Sequence, residues 1–409
     1  MRKSINFFLA SLLFTAATHA AAPKPEPHYQ ITVTAGDFDR LDTVVSFKSP
    51  AKAGKNFSLR SGAGTTLPLQ IEPGGQAWFI LPKLKKGESK VYQLVPLKTV
   101  PTDPAGVLAA QQGNAIKITV GGKPVLQYYS DKSEVPRPDI KLIFRRGGYL
   151  HPVYTPSGKI VTDDYPHNHL HHHGLWYAWT KTEFDGRHPD FWNMGEGSGT
   201  VEFAALVDTW SGPVFGGFQA RHRFVDLTAP QPTTALNESW DVKVFRTGQT
   251  GKPFWMFDLV STQECASATA LRLPKYHYGG IGLRGNGAWD GKENTFFLTS
   301  EGETDRLKGN ETRARWCHVS GQVGGALAGV AILGSPQNFR APQPMRLHPT
   351  EPFFCYAPEQ LGDWEIAPGK PYVARYRFIV SDGPPDKAEL ERQWNDYATP
   401  PDVTVQTVE

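Results

Sequence analysis

Glycine and proline punctuate this chain so often that long helices have little room. There are 40 glycines and 34 prolines in 409 residues, and between them lie short runs rich in Val, Ile, Thr, Phe and Tyr. β-branched and aromatic side chains suit a pleated, half-buried surface, and frequent turn residues bring each run back beside its neighbour. The pattern predicts an all-β protein of antiparallel strands.

A first group of predicted strands covers 29–35, 43–47, 77–81 and 91–96. They suggest a small β-sandwich of about 80 residues, and Pro101, Pro104 and Gly106 then mark a linker across 99–114. From 115 the pattern resumes with predicted strands at 116–120, 141–145, 201–210, 215–225, 239–245, 254–262, 276–283, 293–298, 326–332 and 372–380. Strands in this number without alternating helices predict two packed antiparallel sheets. Pro384 and Pro385 open a segment with Leu390, Trp394 and Tyr397 on one helical face, so one C-terminal helix is expected, followed by a frayed tail at 403–409. The predicted organisation is a leader at 1–22, an N-terminal sandwich with linker at 23–113, a large domain at 114–383, and a helix with tail at 384–409.

The leader reading rests on Arg2 and Lys3 ahead of an apolar stretch at 5–17 that ends in small residues. This is the pattern of a cleavable secretory signal peptide, and no cysteine follows it to accept a lipid. The periplasm or the extracellular space is the expected location. No later stretch has the run of about 18 to 20 apolar residues that a membrane span requires, so no membrane insertion is expected. With a net charge of +3 and basic residues scattered among acidic ones, no electrostatic stripe for nucleic acid is present. Cys265, Cys317 and Cys355 follow no metal-ligand spacing. An oxidising compartment would allow one disulfide, while buried small apolar side chains are the plainer reading. Nothing in the sequence sets an oligomeric state.

Seven of the thirteen histidines fall between His151 and His188, five of them in the run His167-Asn-His169-Leu-His171-His172-His173. Read as an extended segment, the run places His167, His169, His171 and His173 on one side and His172 on the other. Imidazoles at such spacing can act as general acid or base, or share a metal ion. No carboxylate stands at fixed spacing to complete a metal site, so no cofactor is expected, although the histidines allow a metal ion. Trp176, Tyr177, Trp179, Phe184, Phe191 and Trp192 follow, interleaved with Arg187, Asp190, Asn193 and Glu196. Flat rings beside planar polar groups suit a sugar, and core packing suits them equally.

Two further stretches carry polar candidates. His277 and Arg284 flank glycines in 276–284, and the loops 336–340 and 346–352 contribute Arg340, His348 and Glu351. The expected catalytic group is His169, His171, His172 and Glu351. His167, Trp176, Trp179, His277, Arg284, Arg340 and His348 are the expected substrate-binding group. No nucleophile elbow, P-loop, dinucleotide fingerprint or H-E-x-x-H motif is present.

The stretches 151–158, 162–166 and 169–179 resemble those of the secreted bacterial proteins named "PmoA-like", as do Gly282-Leu283-Arg284, Arg315-Trp316-Cys317 and the loop 336–340. That family commonly has an arginine at the position of His173 and often a tryptophan at that of Met345. The label evokes a membrane-bound methane oxygenase, which does not suit a chain lacking spans. The closing pattern Ile366-Ala367-Pro368-Gly369-Lys370 with 372–380 looks like the last strands of galactose-mutarotase-like β-supersandwiches. Such proteins pair a histidine with a carboxylate across a sugar ring, which by analogy makes His169 or His171 with Glu351 the expected pair. A carbohydrate or other small polar molecule is the expected ligand. The function classes left open are a carbohydrate-active enzyme (isomerase, lyase or glycoside hydrolase), a non-catalytic glycan-binding protein and a metal-dependent oxidoreductase.

Overall fold

A computed structural model describes residues 28–51, 56–98, 105–132 and 134–408, so the leader expected at 1–22 lies outside the described residues. The protein is mostly β, as its residue pattern predicts, and its described strands pair antiparallel. A five-stranded and a three-stranded sheet form the N-terminal sandwich, closed over Ile31, Val33, Leu59, Phe79, Leu81 and Tyr92. Two eight-stranded sheets pack face to face to form the larger body.

One large sheet runs in the order 199–210, 215–226, 233–245, 254–265, 372–382, 326–334, 316–323 and 296–299. The other runs in the order 345–347, 353–356, 280–284, 175–178, 149–153, 123–129, 115–120 and 107–112. Side-chain direction in this second sheet follows from contacts across the interface. The Tyr177 hydroxyl meets that of Tyr372 at 3.0 Å, and Tyr356 stacks on Tyr376 with ring centroids 5.6 Å apart. Strand side chains alternate, so Trp176 and Cys355 point away from the first sheet, as does Arg284, two residues beyond Gly282, the partner of both. The inner layer also holds a polar chain. Trp179 donates to Gln263, Gln263 and Ser261 donate to Glu238, and Glu238 accepts from His222, which bonds the Tyr128 hydroxyl. Each of these groups is buried, and the chain links both sheets.

The helix Lys387–Ala398 is capped by Asp386, whose carboxylate accepts from the Ala388 and Glu389 N–H groups. Leu390, Trp394 and Tyr397 dock it on the outer face of the first large sheet, where Val44, Trp78 and Ile80 of the N-terminal sandwich also pack.

Five expectations need correction. The linker expected at 99–114 holds the strand Val107–Gln112, which pairs with Ala115–Val120 at the edge of the second large sheet. Residues 141–145 form no strand; Leu142–Phe144 is a 3-10 turn whose N–H groups bond locally, with Leu142 and Ile143 exposed. The tail is not frayed, because Asp402–Val408 pairs along its whole length with His28–Thr34 in the N-terminal sheet. The strands expected at 276–283 and 293–298 begin later, at Gly280 and Phe296.

Candidate functional site

The histidine run is not extended. The His169 N–H bonds the Pro166 carbonyl and the His172 N–H bonds the His169 carbonyl, so successive turns replace the predicted strand. Pro166 has no N–H for a ladder, and the free N–H groups close on carbonyls three residues back. Turn spacing therefore brings residues three apart together. The His169 and His172 rings stack 4.7 Å apart at 12°, with His171 edge-on to both at 5.7 and 4.6 Å.

This double turn lies over the outward face of the second large sheet. His172 rests on Phe353 and Trp176, each 4.9 Å away, and Trp192 packs on Trp176 at 4.8 Å. Asp190 fixes Trp192 by accepting from its N–H and that of Asn193. The close approach depends on Gly282, where a Cβ would lie 2.8 Å from the Trp192 ring. His348 completes the imidazole group, 5.6 Å from His169.

Arg284 sits beneath these rings with no exposed surface. Its Nη2 donates to Asp290 at 2.6 Å, and to Glu351 and Asn168 at 3.2 Å each. Its Nε and Nη1 have no partner in the chain, and neither does Nδ1 of His169 or of His172. Four buried polar atoms thus meet in one place without a protein partner. Each costs about 1–3 kcal/mol if left unpaired, so the cluster is suited to a polar molecule from outside the chain.

Burial sets the protonation states. It holds His172 well below the usual imidazole range, His171 at about 3 and His348 at about 4, and neighbouring positive groups push each the same way. His169 is lowered too, by burial first and the Arg284 charge second. In each ring desolvation outweighs the pull of the carboxylates. At neutral pH these rings carry no charge. The tautomer of His348 follows from its bonds: Nδ1 accepts the Glu351 N–H at 3.0 Å, so Nε2 carries the proton. Burial raises the Glu351 carboxyl, but Asn168, Arg284 and Thr350 together hold it below its ordinary value. Burial raises Asp290, and also Asp163 nearby.

The fold brings His169, His171, His172, His348, Arg284 and Glu351 together. It separates others. Trp176 and Trp179 are fully buried; Trp176 is the floor under His172 and Trp179 belongs to the core between the sheets, so neither offers a face to a ligand. Arg340 is a structural clamp on the carbonyls of Pro358, Gly362 and Asp363. His277 stands at the flank against Tyr276 and Tyr278, and His167 is exposed on the turn. His173, once expected beside His169, turns away to bond Asp164 at 2.7 Å. Asp290 and Asn168 join the site without having been singled out; Asn168 reaches Arg284 from 116 residues away, whereas Asp290 lies six residues beyond it.

The stack also bears on metal binding. A metal ion lies in the ring plane of each imidazole that holds it, and nearly parallel stacked rings aim their lone pairs side by side instead of at one point. Among the described residues, no group of three or more His, Cys, Asp or Glu side chains is arranged to hold an ion. The three cysteines are free thiols, two of them buried.

No curated protein matches this chain. Among solved structures it is similar to a protein in glycosyl hydrolase family 38 from Enterococcus faecalis, at 10% identity and a TM-score of 0.45, covering 94% of this chain and 48% of that one. It is also similar to an alpha-mannosidase from Enterococcus faecalis V583, at 10% identity and a TM-score of 0.42, covering 94% and 46%. The chain spans about half the length of these structures. Residues 115–395 match a family model described as "Family of unknown function (DUF6807)", a description without the PmoA-like name that the histidine stretch suggested. That match takes in the first large sheet, all of the second but its edge strand 107–112, and every residue of the site, and the chain belongs to this family of unknown function.

Proposed function

We propose that the protein is a carbohydrate-active enzyme that moves a proton on a glycoside or modified sugar at the cluster above Arg284. The observation that carries this reading is the convergence of unpartnered buried atoms: two imidazole nitrogens and two guanidinium N–H groups beside ionised Glu351. A polyhydroxylated ring supplies donors and acceptors in the density such a cluster requires. Arg284 is placed to hold an oxygen on which negative charge develops. His348 Nε2–H offers a second donor.

Basicity selects among the imidazoles. A base works best with a pKa near the working pH, and His171 at about 3 and His348 at about 4 are too weak. His172 is fully enclosed by His169, Phe353 and Trp176. His169, half-buried at the outer side of the stack, is the proposed base. Export through the leader expected at 1–22 would place this chemistry in the periplasm or outside the cell.

The test is turnover of a library of glycosides and oxidised glycosides by the purified chain, followed by mass spectrometry. Product formed by the wild type and lost in His169→Gln supports the reading. Binding at the histidines without turnover of any sugar leaves a glycan-binding protein instead.

A further inference from the structure

A second polar site lies on the outer face of the first large sheet, and its larger cavity reaches Pro349 in the loop that carries His348 and Glu351. Strand Trp316–Val323 turns Cys317 and Val319 into the core between the large sheets, so Trp316, His318 and Ser320 point outward. His318 is only 2% exposed, and neither of its ring nitrogens has a partner in the chain. Gly329 on the neighbouring strand makes room for the ring, since a Cβ there would lie 2.5 Å from it. Two cavities open onto this histidine. One, of about 600 Å³, is lined by Phe296, Leu307, Arg306 and Ser320 among others. The second, of about 250 Å³, is lined by Lys252, Ser381, Glu389 and Gln393, whose Oε1 is likewise buried without a partner. His318 and Pro385 line both.

The chemistry of the walls narrows the ligand. Burial holds the His318 imidazole at about 3, so the ring is neutral and presents one donor and one acceptor. Lys292 and Arg306 are matched by Glu293 and Asp305 around the larger cavity, which favours neither an anion nor a cation. Phe296 and Leu307 are 49% and 68% exposed, large for apolar side chains on a groove wall. Phe296 belongs to the edge strand of the sheet, but that edge is not free for a peptide to extend. Its Thr299 N–H bonds the Glu303 carbonyl, and Arg306 bonds the Thr295 carbonyl. A ligand here must be read by side chains.

We propose that this groove is a second binding site, for a neutral oligosaccharide, with His318 as its buried polar contact and Phe296 as the apolar platform for a sugar face. Two cavities meeting at one ring suit a chain of sugars better than a monosaccharide. The proposal does not depend on the chemistry assigned to the cluster above Arg284.

The test is a long-range nitrogen–proton NMR spectrum of the histidine rings in the full chain, with His318 assigned from the resonances lost in His318→Asn. Cellohexaose, mannohexaose and xylohexaose are titrated to millimolar concentration, with an uncharged hexapeptide for contrast. The expected result is a saturable shift of the His318 ring nitrogens with at least one hexaose, weakened about tenfold or more in Phe296→Ala, an exposed position where folding is not at stake. Three outcomes overturn the proposal: no hexaose moves the His318 ring, the response is unchanged in Phe296→Ala, or only the peptide moves it. The rings of His169 and His172 are read in the same spectra, so failure at either site is seen separately from failure at the other.

Discussion

His169 and His172 stack within 12° of parallel, with Phe353 on the far side of His172 at 4.9 Å. The outer ring of this pile is half-buried and the middle ring is enclosed, so two chemically identical side chains face different consequences on removal.

His169→Ala is expected to lower turnover on the substrate by about 10²- to 10⁴-fold, the usual contribution of a positioned base. Its melting temperature should fall by only a few degrees. His172→Ala should lose activity together with stability, because it opens a void above Phe353 and Trp176. Parallel kinetics and thermal melts of the two variants check the contrast, and equal stability losses would remove the distinction between base and spacer.

Acid should destabilise the fold through its histidines. In the folded state His171 and His318 sit at about 3 and His348 at about 4, against an ordinary value of 6.5. Between those values and about 6.5 the unfolded chain binds more protons, so this stability is complete above 6.5 and drains away as pH falls toward 3. Urea midpoints measured at descending pH should drop steeply below 6, and His348→Asn should flatten part of the slope. An unchanged slope in that variant would assign the effect to other groups.

Glu359 works in the opposite sense. Its carboxylate is fully buried, neither oxygen has a partner in the chain, and burial pushes its pKa up to about 8 against an ordinary 4.5. The folded state therefore keeps a proton that the unfolded chain releases above 4.5, and stability declines as pH rises from about 4.5 to about 8. Glu359→Gln should stabilise the protein at pH 8 by a few kcal/mol and hardly at all at pH 4. A gain of the same size at both pH values would contradict this account.

Glu238 is the hub of the polar chain between the large sheets, accepting from His222, Ser261 and Gln263. Burial raises its carboxyl, but those bonds outweigh it and leave the group lowered. Glu238→Ala strands three donors at once, and a loss of about 3–5 kcal/mol in chemical denaturation is expected. A cost under about 1 kcal/mol would mean that solvent reaches the interior and substitutes for the carboxylate.

The sequence was most legible where one face of a strand meets solvent. The alternation in Gln76–Leu84 and Thr233–Phe245 survives because their other faces are partly exposed. The sheet that carries the site is covered on both sides, and Leu175–Ala178 is buried at every position, so no period-two signal marks it. The histidine cluster was visible because the residue is scarce elsewhere in the chain, but its geometry was not. Turn hydrogen bonds from Pro166 and His169 impose a spacing of three where an extended reading imposes two. Trp176 and Trp179 resembled a binding wall by composition, and only the depth of their burial shows otherwise. Glu351 reached its place through Arg284, a partner 67 residues away that no local pattern announces.

The pairing of Asp402–Val408 with His28–Thr34 ties the two extremes of the described chain into one ladder. During synthesis the first strand of the small sandwich, already paired with Ser89–Leu97, stays unzipped on its other side until some 370 residues later the closing strand arrives. Completion of that sheet is therefore a late event governed by long-range loop closure, and the large body acts as the clasp that brings the two strands within reach.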